Sequence, residues 1–205
     1  MTNFNFIAEL VFRYGVMGCG KTRDIMKNYH DYIEKGKKIK IAKPSKDTRG
    51  NTKITSRDGS NLETDYLIRP TDDIYQIVKE DNEKEKIDCI LVDEAQFLTR
   101  ENVKQLSDIV DDLNIQVICF GLRADFKDVL FEGSEALFAL ADRFEEITSI
   151  CRCGKYAKAG VRLNNGVPVS DGPQIAIDGE NKVTYISMCR KCKKRVMKEG
   201  LNIWN

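Results

Sequence analysis

Three sets of residues in this 205-residue chain have the types and spacing to do chemistry. The first is Gly15-Val16-Met17-Gly18-Cys19-Gly20-Lys21-Thr22, a glycine, four residues, then Gly-Lys-Thr. That is the spacing of a phosphate-binding loop, in which glycines let the backbone wrap a phosphate with N–H groups turned inward and no Cβ in the way. Gly15, Met17, Gly18, Cys19, Gly20, Lys21 and Thr22 are the candidate phosphate contacts. Lys21 would bring a point charge to the β- and γ-phosphates, and the Thr22 hydroxyl would ligate Mg²⁺. A nucleoside triphosphate is therefore the expected ligand.

The second set is Asp93-Glu94, directly after the apolar run Ile87-Asp88-Cys89-Ile90-Leu91-Val92. A phosphate loop needs a second carboxylate for Mg²⁺, commonly an Asp ending a neighbouring buried strand, and Asp93 has that place. Glu94, next in sequence, would project differently and could orient or deprotonate an attacking hydroxyl or water. The third set is Cys151-Arg152-Cys153 and Cys189-Arg190-Lys191-Cys192, four thiols able to hold one tetrahedral Zn²⁺. Of the seven cysteines, Cys89 and Cys119 sit in apolar runs and read as core, and Cys19 lies in the phosphate loop.

These residues need a scaffold of alternating strands and helices. The run Phe6–Phe12 reads as the strand before the phosphate loop, and Lys21–Glu34 as the helix after it. Lys38–Ala42 reads as a strand ended by Lys43-Pro44, and the polar stretch Ser45–Asn61 as a mobile loop. Tyr66–Ile68 is a strand, Thr71–Lys79 a helix capped by Thr71 with Ile74, Ile77 and Val78 on one face, and Glu80–Lys86 a charged connector. A helix over Glu101–Leu113, capped by Thr99, separates the buried strand ending at Val92 from a second, Ile115–Phe120, closed by Gly121. Ser134–Ala141 and Phe144–Ile150 add one more helix and strand. The order argues an α/β fold, a doubly wound parallel sheet of the P-loop NTPase kind over residues 1–150, with a small C-terminal zinc-binding domain over 151–205.

With 33 Lys plus Arg against 32 Asp plus Glu, no global field favours nucleic acid or an anionic membrane. There is no membrane-span-length apolar run and no signal-peptide pattern, so a cytoplasmic protein without disulfides is expected. Asp-Glu-Ala-Gln is also an acidic motif of helicases, but a helicase needs a second motor domain, for which the length leaves no room.

Taken in order, the motifs resemble those of the zinc-containing, cytosolic-type thymidine kinase family over nearly the whole length. The matching stretches are Gly15–Thr22, Lys43-Pro44 with Asp47-Thr48-Arg49, Ser56-Arg57-Asp58-Gly59, and Val92-Asp93-Glu94-Ala95-Gln96-Phe97-Leu98. They continue with Gly121-Leu122-Arg123-Ala124-Asp125-Phe126, Leu130-Phe131-Glu132-Gly133-Ser134, and Tyr185 four residues before Cys189. Two departures stand out: Arg57, where some members have His, and a longer stretch from Ile177 to Tyr185.

The resemblance implies ATP-dependent phosphorylation of thymidine, and of deoxyuridine, at the 5′-hydroxyl, in salvage of DNA precursors. It makes Glu94 the catalytic base, with Thr22, Asp93 and Asp47 serving Mg²⁺ and Arg49 the transferring phosphate. Met17, Gln96, Phe97, Leu122, Phe126 and Phe131 become thymidine contacts, together with Ile177 and Tyr185 of a loop, running from about Arg162 to Tyr185, whose main-chain groups would grip the base. Structural Zn²⁺ on Cys151, Cys153, Cys189 and Cys192, a homotetramer, and feedback inhibition by thymidine triphosphate are also implied, with no nucleic-acid or membrane partner. Two other classes remain open from the residues alone. One is a stand-alone ATPase in which Glu94 activates water. The other is a zinc-bearing nucleic-acid module that uses the basic residues beside the cysteines.

Overall fold

The computed structural model describes residues 7–46, 52–55, 59–176 and 183–200. The chain runs β1 (Leu10–Gly15), α1 (Lys21–Glu34), β2 (Ile39–Pro44), β3 (Lys53–Thr55), β4 (Asn61–Glu63), β5 (Tyr66–Ile68), α2 (Ile74–Lys84) and β6 (Cys89–Val92). It continues through a 3₁₀ turn (Ala95–Phe97), α3 (Arg100–Leu113), β7 (Gln116–Leu122), α4 (Glu132–Leu140) and β8 (Arg143–Ile147). β9 (Ala159–Asn164), β10 (Val167–Val169), β11 (Val183–Met188) and α5 (Arg190–Glu199) follow.

One six-stranded sheet has the order β5-β2-β6-β7-β1-β8, with parallel pairing of β2 to β5 and β6 and of β6 to β7. Cys89, Ile90, Leu91 and Val92 are all buried, as a central strand covered on both faces requires. The neighbouring β7 buries Val117 to Phe120 in the same way. Burial pushes the Cys89 thiol up to about 12, and raises that of Cys119 too, so both are inert core residues as expected. The α/β class of the sequence reading is the observed one.

Several boundaries differ from expectation, each for a local reason. β1 starts at Leu10 because the amides of Ala8 and Glu9 donate to the side chains of Asn114 and Gln116, and Ile7 is exposed. β2 carries on through Lys43 and Pro44, since a proline at the last position of a strand removes only one donor. β3, inside the stretch read as a loop, pairs antiparallel with β4, which starts at the last residue of that stretch, Asn61, and Ile54 is buried. The second helix begins at Ile74, capped by Asp73, whose carboxylate accepts from the Gln76 amide at 2.9 Å, and it runs through the charged residues to Lys84. Those charged residues are good helix formers, and Asp81 among them accepts from the Tyr66 hydroxyl at 3.1 Å. Ile77 lies 41% exposed, outside the buried stripe of Ile74 and Val78.

α3 keeps its expected cap: the Thr99 hydroxyl accepts from the Asn102 amide while the Asn102 side chain reaches back to Thr99. β7 passes through Gly121 instead of stopping there. A Cβ at Gly121 would come within 3.1 Å of the Gln96 backbone nitrogen, so this glycine answers close approach and not a turn. α4 begins at Glu132 and β8 ends at Ile147, with Ile150 in an isolated bridge to Tyr156.

Contacts group the chain into two units, one of Met1–Arg13, Gly20–Gly121 and Glu132–Glu145, the other of Tyr14–Cys19, Leu122–Phe131 and Glu146–Asn205. The second unit is built on the antiparallel sheet β10-β9-β11. Asn165 and Gly166, both at positive φ, turn the hairpin from β9 to β10. Val161, Leu163 and Met188 pack on one face of this sheet with Val196 of α5 and three of the cysteines. No described helix is long and apolar enough to cross a membrane.

Candidate active site

The phosphate-loop motif joins β1 to α1, so strand, loop and helix stand in the expected order. Gly18 and Gly20 take positive φ, and Gly20, at φ 101°, is the residue from which α1 starts. An L side chain resists that conformation, which accounts for glycine here. Helix α1 opens on Lys21 and Thr22, placing both at its positive end, with Lys21 only 8% exposed. An anion bound there would meet a charge held away from bulk screening.

In the same unit, Asp93 and Glu94 follow β6. The Asp93 amide stays in the ladder, donating to the Ala42 carbonyl at 2.9 Å, and its carboxylate accepts from the Glu94 amide at 2.8 Å. Asp93 is 9% exposed. Glu94 has φ 48° and ψ 36°, a left-handed conformation that costs an L residue about 1–2 kcal/mol. Such strain is held by its surroundings and is concentrated at functional positions.

Two neighbours do the holding. The fully buried Gln96 donates its side-chain amide to the Glu94 carboxylate, fixing where that carboxylate points. Helix α4 lies directly on the turn after Glu94, for a Cβ at Gly133 would sit 2.3 Å from the Ala95 carbonyl oxygen. Gly133 is therefore a packing requirement of the Asp93-Glu94 corner. The sequence reading placed Gln96 at the nucleoside; the structure shows its amide on Glu94, an orienting contact that the sequence carries no sign of.

The second unit holds Met17, Leu122, Phe126, Phe131 and Tyr185. Asp125 shapes the loop between β7 and α4, its carboxylate accepting from the amides of Lys127 and Val129 at 2.8 and 2.9 Å. That turn leaves Phe126 and Phe131 each 5% exposed. The Arg162 guanidinium lies 3.9 Å above the Phe126 ring, and its Nε donates to the Tyr185 hydroxyl at 2.8 Å. Two residues along β11 from Tyr185, the Ser187 hydroxyl donates to the Met17 carbonyl at 2.7 Å. Ser187 and Arg162 are contacts not expected from the sequence, since an Arg between Val161 and Leu163 is the ordinary apolar–polar alternation of a strand and gives no sign that it is buried. Asp47, Arg49, Arg57 and Ile177 lie outside the described residues.

Cys151, Cys153, Cys189 and Cys192 come together, with their sulfurs all within 4.8 Å of one another and Cys153 Sγ 3.6 Å from Cys189 Sγ. Four sulfurs at Zn–S distances of ~2.3 Å around a tetrahedron stand roughly 3.8 Å apart, so the cluster is compatible with a structural zinc. The first pair sits on a tight turn in which the Gly154 amide donates to the Cys151 carbonyl at 2.8 Å. The second pair opens α5, where the Cys192 amide donates to Cys189 Sγ at 3.5 Å. That N–H draws the Cys189 thiol down to about 7, while desolvation and the neighbouring thiols push Cys192 up to about 12. The four sulfurs cannot all ionise without a cation among them. Of the basic residues nearby, Lys193 is committed elsewhere, donating to the Phe126 carbonyl at 2.7 Å and pairing with Asp128 at 2.8 Å.

A phosphate loop opening the first helix, an acidic pair behind a buried strand and an α/β sheet define a nucleotide-binding protein equipped for phosphoryl transfer. The family model described as thymidine kinase matches residues 8–193. A thymidine kinase of Francisella tularensis is 40% identical over 190 residues, covering 90% of this chain and 96% of that protein. One of Aliivibrio fischeri is 39% identical over 193 residues, covering 93% and 99%. One of Streptococcus pyogenes is 43% identical over 187 residues, covering 90% and 96%. Among solved structures, the Pif1 helicase of Candida albicans aligns with 69% of this chain and 36% of its own at 16% identity and a TM-score of 0.38, too slight a likeness to argue from. The chain belongs to the thymidine kinase family.

Proposed function

We propose that this chain transfers the γ-phosphoryl group of ATP to the 5′-hydroxyl of thymidine, and of deoxyuridine, giving the monophosphate. The observation that carries the reading is the Asp93-Glu94 corner, strained at Glu94 and oriented by Gln96, in a chain that matches the family model from residue 8 to 193. Lys21 and the loop amides from Gly15 to Thr22 hold the donor phosphates. Thr22 and Asp93 are suited to hold Mg²⁺, with Asp47 as a further ligand; the ion would offset charge on the β- and γ-phosphates. Glu94 accepts the proton of the 5′-hydroxyl, and Arg49 steadies the group in transfer. The reaction needs positioning and charge stabilisation, which these few residues supply.

Thymine is contacted by Met17, Gln96, Phe97, Leu122, Phe126, Phe131, Ile177 and Tyr185, an assignment that rests on the family resemblance. The homotetramer, inhibition by thymidine triphosphate and a place in nucleoside salvage rest on it too, while the division into a nucleotide-binding part over 1–150 and a zinc-binding part over 151–205 and the cytoplasmic location rest on the residue pattern. A panel of nucleosides with ATP and Mg²⁺ tests the substrate. A base read by hydrogen bonds is discriminated strongly when its edge changes and weakly when only a methyl is lost, about 1–3 kcal/mol in an apolar pocket. Thymidine and deoxyuridine should both be phosphorylated, thymidine better. Deoxycytidine and purine nucleosides should be poor; turnover of deoxyadenosine equal to that of thymidine would refute the assignment of the base contacts.

The four cysteines hold one Zn²⁺ per chain in this reading. Elemental analysis of purified protein should find about one equivalent, and metal-free protein with four titratable thiols would contradict it. Because this metal would join the turn at Cys151–Cys153 to the start of α5, chelation should raise amide exchange in β9 to β11 before β6 and β7 respond.

A further inference from the structure

Along β9 the side chains alternate, so Val161 and Leu163 enter the apolar cluster and Arg162 falls on the opposite face, beside its cross-strand partner Tyr185. Arg162 is 4% exposed, and among the described residues no carboxylate pairs with it. Burying a guanidinium without a counter-ion is costly unless its donors are all directed somewhere. Here Nε donates to the Tyr185 hydroxyl, one terminal nitrogen to the Pro173 carbonyl at 2.7 Å, and the other to the Gln174 carbonyl at 3.0 Å. The flat face of the group covers the Phe126 ring at 3.9 Å. The Tyr185 hydroxyl passes the link on, donating to the Ala176 carbonyl at 3.0 Å. Two outer contacts run between the same segments: Lys127 Nζ donates to the Gly172 carbonyl at 3.1 Å, and Gln174 Nε2 to the Leu130 carbonyl at 3.2 Å.

We infer that Arg162 is a positioning residue for the nucleoside side of the reaction, holding the 173–176 backbone, the Tyr185 ring and the Phe126 ring in one arrangement. An apolar side chain of similar size could fill the space and cover Phe126, but only a planar fork of donors sets the direction of two successive carbonyls and a hydroxyl together. Lysine keeps the charge and loses the fork. The inference rests on the proposed role of Phe126 and Tyr185 at the base, and it assigns Arg162 no contact with ATP or its phosphates.

The test is steady-state kinetics of Arg162→Lys and Tyr185→Phe, with KM for thymidine and for ATP measured separately and folded protein counted by zinc content and thermal unfolding. Arg162→Lys should raise the thymidine KM by about tenfold or more, since small misplacements of contacting groups have effects of that order, and leave the ATP KM unchanged. Tyr185→Phe should shift the same constant in the same direction by less. In the double variant the two effects should fall short of their product, because they remove one shared interaction. If Arg162 only stabilises the fold, its replacement lowers the amount of active enzyme and leaves both KM values where they were, and that result overturns the proposal. Should Arg162→Lys fail to fold, an unchanged thymidine KM in Tyr185→Phe overturns it as well. Wild-type protein that does not phosphorylate thymidine in the same assay would instead sink the functional reading.

Discussion

Glu94→Gln will lower kcat by about 10²–10⁴-fold, the usual contribution of a general base, while ATP still binds. The substitution keeps the size and the hydrogen-bonding reach of the side chain and removes its capacity to take a proton. Glutamine can also still face Gln96 by turning its own amide, so the corner built by Asp93, Gln96 and Gly133 should survive. Equilibrium binding of ATP and thermal unfolding separate loss of chemistry from loss of structure. A variant that turns over at the wild-type rate would remove Glu94 from the mechanism.

Lys21→Ala will act differently, weakening ATP binding and lowering kcat together. Lys21 stands at the first position of α1 and is 8% exposed, so it would meet the donor phosphates with little water between. Its charge would act on the ground state and more strongly on the charge developing in the transition state, and losing one such stabilising group typically costs about 10²–10³-fold in kcat. Measurement of the ATP dissociation constant beside kcat distinguishes the two variants. Lys21→Ala with normal ATP affinity would mean that the loop is not the donor site.

Much of this arrangement could be read from residue order, and the exceptions have physical causes. The phosphate loop was legible because glycine, lysine and threonine at fixed spacing are tied to backbone geometry that few other residues adopt, and the structure has Gly18 and Gly20 at positive φ there. The central strands were legible because burial on both faces leaves an unbroken apolar run such as Cys89–Val92. Helix α2 was misread at both ends. Capping depends on which of Thr71 and Asp73 reaches a free amide, and the charged residues after Lys79 are both good helix formers and plausible loop. The β3–β4 hairpin escaped notice because three-residue strands show too little alternation. Asn165-Gly166 was a hairpin signature that could have been used, and it turns β9 into β10.

At the candidate site, the cysteine quartet was foreseen from spacing alone, and the sulfurs do meet. What spacing could not give are contacts between residues distant in sequence. Ser187 reaches the Met17 carbonyl across 170 positions of chain, and Lys193 the Phe126 carbonyl across 67. Gln96 was assigned by resemblance to the nucleoside, and only three-dimensional placement shows its amide turned to Glu94. Ser187 and Lys193 leave no motif, because their partners are backbone carbonyls that any residue can provide.

The central claim is phosphoryl transfer to a nucleoside, and following the γ-phosphate of labelled ATP with and without thymidine tests it most directly. The account predicts that label appears in thymidine 5′-monophosphate, that Mg²⁺ is required, and that ATP consumption without thymidine stays near background. Release of inorganic phosphate at the same rate whether or not thymidine is present would contradict it, and would make Glu94 the activator of water in an ATPase.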